Sequence, residues 1–365
     1  MRKFLLFIFT LCLAFQAQAQ KAYIDSVYDF CPAPGQFVNS APAYYAGETK
    51  ANIIYRVDST LCRKDNNKPI SLGAYGGYVV FGFDHMIENI KDHMDFQILG
   101  NAFWGASAKK ARGGSCEPGI ILVSKDVNGN GLPDDPWYEI AGSEYNSPAT
   151  IHHYRIVYEK PDEDKVKTPD TKHSLSDTTY VHWTDNQGGK GYVYKNTFHH
   201  QSYWPQWLPD STTLTFEGTK LADNYIDESG KGTYYVQYSY TYGYADNAPN
   251  ADSLSYINID WAVDADGNPA NLDGINFVKV YTGVNQYCGW LGETSTEVYG
   301  ALDLHMTGRD IEDPITTRIY VPTATSVTDG RTAIYTLTGT RVDTPVAGQI
   351  YIVGSNGKTR KVVWK

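Results

Sequence analysis

Short apolar runs, each closed off by turn-forming residues, constrain this chain more than any other feature. Asn52–Val57 (NIIYRV), Tyr78–Phe83 (YVVFGF), Asp95–Leu99 (DFQIL), Gly119–Val123 (GIILV) and Tyr154–Tyr158 (YRIVY) are rich in β-branched and aromatic residues. So are Thr212–Phe216, Tyr234–Tyr240, Tyr256–Trp261 and Phe277–Tyr281. Gly, Pro, Asn and Asp bound most of them, and such runs form half-buried strands because pleated backbone accommodates branched and flat side chains. No long stretch carries helical periodicity. The expectation is an all-β protein, a jelly-roll-like β-sandwich.

The chain opens MRKFLLFIFTLCLAFQAQAQ, two basic residues before an apolar run and then Ala17-Gln18-Ala19. This reads as a signal peptide over residues 1–19, cleaved before Gln20, and predicts an exported protein of the cell surface, the extracellular space or the periplasm. The apolar run is too short to span a membrane. Leu11 before Cys12 is not the small residue expected before a lipid-modified cysteine. Cys31, Cys62, Cys116 and Cys288 remain after cleavage, and an even count in an oxidising compartment permits disulfides. Cys31 and Cys62 flank one segment and are the candidate pair; free buried thiols are the alternative.

The body is expected over residues 20–306, with the charged stretch 160–178 (KPDEDKVKTPDTKHSLSDT) as a solvated loop within it. Residues 307–325 read as a linker. Residues 326–365 read as a small C-terminal β module, with Thr-Gly, Ala-Gly and Asn-Gly turns between three strands. A net charge of −10, from 41 acidic and 31 basic residues, argues against nucleic acid or an anionic membrane as partner. Aromatics make up 14% of the chain, with 29 tyrosines, a content that suits pleated strands and recognition surfaces alike.

Within "DVNGNGLPDDPWYEIAGSEY" (126–145), Asp126, Asn128 and Asn130 take the first, third and fifth positions of an EF-hand-like loop. Gly131 supplies the sharp turn, Leu132 a carbonyl, and Asp134 the ninth-position oxygen. Trp137 stands where a closing Glu belongs, so Asp135 or Glu139 must close the shell. Oxygen donors without His or Cys favour a structural Ca2+. An Asx-turn-rich loop is the alternative. In "DWAVDADGNPANLDG" (260–274) the ligand spacing fails after Asp264 and Asp266, and a hairpin is expected.

"FHHQSYWPQWLP" (198–209) concentrates His199, Tyr203, Trp204 and Trp207. With Trp290, these are candidate ligand-stacking residues; the alternative is an aromatic plug at the end of the sandwich. Adjacent His199 and His200 point apart when extended and cannot share a metal, as is true of His152 and His153. Trp290 beside Glu293 and Glu297 raises glycoside hydrolysis, which needs two carboxyls at one bond; a packed edge is the preferred reading of these residues. The glycines of "LGAYGGYVVFGFD" precede no helix, so they do not form a phosphate loop.

The tail stretches "IYTLTGTRV" (334–342) and "GQIYIVGSNGKTRKVV" (348–363) resemble C-terminal sorting or surface-retention modules of secreted proteins from gut anaerobes, departing from them by the inserted Ser355-Asn356. "SLGAYGGYVVFGFDHMIEN" (71–89), "DFQILGNAFWG" (95–105), "EPGIILVSKDVNGNGLPDDPWYEIAGSEY" (117–145) and "GINFVKVYTGVNQYCGWLGETSTEV" (274–298) resemble a group of surface proteins of the same bacteria. That resemblance implies a discoidin-like or galactose-binding-like jelly roll. Members are often encoded near cobalamin-uptake components, which implies corrinoid capture alongside outer-membrane uptake partners. It implies no reaction and assigns no binding residue. The function expected is nutrient capture of a corrinoid or a glycan, with a polysaccharide hydrolase or an adhesion protein as alternatives.

Overall fold

The computed structural model describes residues 20–309 and 311–314, with 333–336, 341–342, 344–347, 350–355 and 358–363 of the C-terminal region. The expected signal peptide and most of the expected linker lie outside the described residues. The chain divides into two compact units, Met1–Ile311 and Glu312–Lys365. In the second, Ala333–Tyr335, Ile350–Ser355 and Lys358–Val363 form one antiparallel sheet.

The first unit is predominantly β. Its largest sheet runs, in order, Ser26–Cys31, Tyr78–Glu88, Gly274–Thr282, Gly119–Ser124, Trp137–Ile140 and Ala262–Val263. Gly119–Ser124 and Gly274–Thr282 are buried along nearly their whole length and Tyr78–Glu88 over Val79–Phe83, which is why they read as continuous apolar runs and not as alternation. Val280 sits opposite Val79 on one side and Ile121 on the other. A second sheet orders Lys190–Asn196, Leu175–Asp185, Ile151–Glu159 and Thr213–Lys220. Here alternation is clear: Tyr154, Ile156 and Tyr158 turn inward, as do Leu214 and Phe216. Two further sheets comprise Tyr225–Asp227, Tyr235–Tyr238, Gly113–Ser115 and Phe103–Trp104, and Tyr256–Ile257, Phe96–Leu99 and Gly300–Asp303.

Four sheets of three or more strands suggest a propeller-like ring, not the two facing layers of a jelly roll. Many short strands at even spacing suit either architecture, because both present local antiparallel pairs to the sequence. The discoidin-like sandwich is corrected on this point.

Asn52–Val57 is not a strand. It lies inside an α-helix, Lys50–Leu61. Thr49 caps the helix, accepting from the Asn52 N–H while the Asn52 side chain accepts from the Thr49 N–H. Ile53, Val57 and Leu61, four apart, supply the buried stripe. Residues 160–178 hold a short 3-10 turn, Thr171–His173, before the strand Leu175–Asp185 begins inside them. No helix among the described residues is long and apolar enough to cross a membrane.

All four described cysteines are free, so the Cys31–Cys62 bridge is absent. Cys62 caps the helix, with its Sγ 3.4 Å from the Asp58 carboxylate, while Cys31 ends the first strand. Burial pushes the thiols up, Cys31 to about 11 and Cys288 to about 12.

The loop 198–209 is an internal plug. Tyr203, Trp204 and Trp207 are 0%, 1% and 3% exposed, the first two within the core that holds Tyr75, Tyr154, Tyr158 and Phe216. Asn39, in the left-handed region at φ +67°, staples the loop down: its amide donates to the carbonyls of Ser202 and Trp204, at 2.7 and 2.9 Å. Trp207 stacks on Phe30 at 6.1 Å. These rings present no surface to a ligand, which corrects the stacking-platform reading of Tyr203, Trp204 and Trp207. Trp204→Ala is expected to lower stability by about 3–5 kcal/mol, as for other fully buried aromatics. Chemical denaturation of wild type and variant measures it, and a loss below about 1 kcal/mol contradicts the core assignment.

Candidate functional site

The loop at Asp126 joins the strands Gly119–Ser124 and Trp137–Ile140. Gly129 and Gly131, at φ +71° and +73°, curl the backbone so that its N–H groups face one carboxylate. Asp126 Oδ1 accepts from Gly129 (2.7 Å) and Asn130 (3.1 Å), and Oδ2 from Gly131 (2.9 Å). Asp134 accepts from the amides of Asn128 and Asn130, each at 3.0 Å to one of its oxygens; these bonds hold its carboxyl below the usual range. Asp135 accepts from the Val127 N–H at 3.0 Å. Leu132 is exposed, and its carbonyl accepts from Asp134 N–H at 2.9 Å. The structure therefore gathers Asp126, Asn128, Asn130 and Asp134 into one curl.

Glu139 is not part of it. It sits in the strand Trp137–Ile140, opposite Leu122 and Val263, with its carboxylate accepting from Thr219 Oγ1 at 2.6 Å. This corrects its reading as a metal ligand: once the chain enters a strand, its side chains alternate between faces instead of curling round a centre. Asp264 forms the expected hairpin turn, accepting from the N–H groups of Asp266 and Asn268.

Glu139 faces a cleft of about 640 Å³ whose lining includes Trp137, Tyr145, His152, Glu217 and Tyr281. That volume is in the range of small-molecule sites. A connected polar network forms its floor. His152 lies with one ring nitrogen 3.2 Å from Thr219 Oγ1 and the other 3.1 Å from the Tyr145 carbonyl, its ring 4.6 Å from that of Tyr145. The Thr219 N–H donates to the Tyr281 hydroxyl at 2.7 Å. A Cβ on Gly218 would lie 2.4 Å from that hydroxyl, so the strand comes this close to Tyr281 only because residue 218 is glycine. Burial pushes the Glu139 carboxyl up to about 7, against the opposing hydrogen bond from Thr219.

The other predicted residues scatter. His199 packs edge-on against Phe37 at 4.8 Å, and burial lowers its ring below the ordinary imidazole range. Trp290 is 45% exposed, in a different region from Trp204 and Trp207 in sequence and burial. Glu293 and Glu297 do not form a pair of their own. Glu293 accepts from the Gln36 N–H at 2.6 Å, whereas Glu297 joins Glu117 and Asp246, their oxygens all within 4.8 Å. Glu117, Asp246, Thr219 and Tyr281 escaped the sequence reading. Each lies on a strand or an ordinary turn without a motif, and only long-range pairing assembles them.

Glu139 has a testable signature. Its raised folded value means that its protonated form stabilises the fold: the contribution is complete below about 4.5 and is lost as pH rises through about 7. Glu139→Gln, which mimics the neutral acid, is expected to gain melting temperature relative to wild type between pH 5 and pH 8. Parallel melting profiles for the two proteins across that window would overturn the assignment. No protein-family model matches the chain, and no curated protein matches it in sequence.

Proposed function

We propose that this is an exported, cell-surface protein of nutrient capture, and that the cleft at Trp137 and Glu139 holds its ligand, a glycan or a corrinoid. One observation carries the reading: aromatic side chains and a connected set of hydrogen-bonding groups line the same cleft. Sugar rings need this combination, flat faces for their C–H surfaces and donors and acceptors for their hydroxyls. The corrinoid rests on the resemblance to surface proteins encoded beside cobalamin-uptake components. His153, exposed and among the residues lining the cleft, offers an imidazole that a cobalt could take.

Equilibrium titration of the mature protein with cobalamin and with a glycan panel tests both ligand classes. Trp137→Ala is expected to cost about 2 kcal/mol of binding free energy, as aromatic anchors commonly do. Silence toward both classes from folded protein removes the binding reading.

A hydrolase is the second reading, because Glu139, pushed up to about 7 and so still partly protonated at neutral pH, shares its cleft with Glu217. A neutral acid beside a second carboxyl suits glycosidic bond cleavage. Release of reducing ends from a polysaccharide, lost in Glu139→Gln while binding persists, would favour it over simple capture.

We further propose a structural Ca2+ in the Asp126 loop, held by Asp126, Asn128, Asn130, the Leu132 carbonyl and Asp134. Neutral amides among the donors place the affinity with extracellular sites, at about 10⁻⁴–10⁻³ M. Millimolar Ca2+ is expected to raise the melting temperature and chelator to lower it. Asp126→Asn keeps the Asx-turn but should abolish most of that response. A wild-type melt unmoved by chelator, after complete metal removal, leaves the plain turn.

A further inference from the structure

A second cleft, of about 380 Å³, lies against the strand Lys190–Asn196 and the segment 285–293. Five rings line it: Trp183, Tyr192, Tyr194, Tyr225 and Tyr287. Tyr287 and Glu293 face each other across an isolated antiparallel bridge, so their side chains emerge on the same face. Between them the chain makes a tight loop, with the Cys288 N–H donating to the Gly292 carbonyl at 2.8 Å and Trp290 at the tip.

Both bridge residues carry an unmet polar atom. The Tyr287 hydroxyl and Glu293 Oε2 are buried without a hydrogen-bond partner. Glu293 as a whole is 6% exposed, and its other oxygen is taken by the Gln36 N–H. Buried polar atoms are almost always paired, because leaving one unpaired forfeits its solvation. Two such atoms, on bridged residues that line one cleft, call for a shared explanation. Beyond the cleft the aromatic surface continues. Tyr225 packs against Tyr235 at 5.8 Å; the Trp290 indole N–H reaches the Thr233 carbonyl at 3.4 Å; and Trp290 and Tyr234 are exposed.

We propose that this cleft is a second ligand site, for a neutral sugar ring whose hydroxyls pair with Tyr287 and Glu293 while Tyr192 and the other tyrosines of its wall cover its flat face. Hydroxyls donate and accept together, so one ring can satisfy both orphaned oxygens. Burial pushes the Glu293 carboxyl up to about 8, so at neutral pH it stands protonated and offers a donor without a charge. An organic cation gains little from a neutral acid, and Lys190 in the same wall repels it. An anion meets Asp223 there. The site is independent of the Trp137–Glu139 cleft, with which it shares no lining residue.

The test uses the full mature chain and a panel of neutral sugars: glucose, galactose, mannose, N-acetylglucosamine, maltose and cellobiose. Affinity is measured calorimetrically for wild type, Tyr287→Phe, Tyr192→Ala and Trp137→Ala, with each variant's melt recorded. Whatever Trp137→Ala loses at the first cleft, at least one sugar is expected to keep in that variant a binding event that Tyr192→Ala weakens about tenfold or more, as for a lost aromatic anchor. Tyr287→Phe is expected to weaken the same event severalfold, as for one lost hydrogen bond. Tyr192 is exposed, so its loss of affinity does not come with a loss of fold. Sugar binding that only Trp137→Ala impairs would assign every effect to the first cleft and overturn the proposal. Folded wild type that binds no sugar of the panel overturns it equally, and leaves the two oxygens with a structural role.

Discussion

Three carboxyl groups that cannot all be ionised together sit where the sheets meet. Asp246, Glu117 and Glu297 have oxygens within 4.8 Å of one another, and burial raises all three, with repulsion from neighbouring carboxylates adding to it at Asp246 and Glu297. Like charges this close in a low-dielectric site must hold protons among them. Asp246 is the anchor. Its Oδ1 accepts from the N–H groups of Asn101 and Ala102, each at 2.8 Å, and its Oδ2 from Glu297 N–H at 3.0 Å. Its own carbonyl accepts from Glu117 N–H at 2.9 Å. Three segments distant in sequence are thereby tied to one residue: the exit of Phe96–Leu99 and the start of Glu297–Val298 through its side chain, and the entry to Gly119–Ser124 through its carbonyl. A Cβ on Gly100 would stand 2.2 Å from Asp246 Oδ1, so glycine is what lets the first of them approach.

How far the sequence was readable follows from how far each interaction reaches. Val79, Phe81 and Ile121 announced strands because burial on both faces leaves an unbroken apolar run. Ile53, Val57 and Leu61 carry an equally local helical signal, but β-branched residues between them mimic a strand, and the capping role of Asn52 went unread. Pairing was not legible at all: Gly274–Thr282 lies between two strands far earlier in the chain, and no residue in either encodes that choice alone. Hence a ring of small sheets and a two-layer sandwich looked alike.

The sites divide in the same way. Asp126, Asn128, Asn130 and Asp134 meet because they lie within one turn, so spacing was enough to group them. Glu139 was misplaced because the same spacing argument was carried past the point where loop becomes strand. Trp204 and Trp207 were misjudged for another reason. Composition records that rings are concentrated but not which side of the core they face, and the deciding contact, Asn39 to the carbonyls of Ser202 and Trp204, spans more than a hundred residues. The loop and the larger cleft are nonetheless one construction, since the strand that leaves the Asp126 curl is the strand that carries Trp137 and Glu139.

The four free cysteines leave the described residues without a covalent cross-link. Oxidation and alkylation proceed through the thiolate, and burial has moved Cys31, Cys62, Cys116 and Cys288 well above the pH at which thiolate forms in water. Folding itself is therefore their protection: in the native chain these thiols are chemically silent, and reactivity returns only where packing has opened. The four sulfurs thus act as a built-in clock of local opening, spread over the first strand, the helix end, the entry to Gly119–Ser124 and the Trp290 loop. The order in which they become reactive reads out which of those regions loosens first.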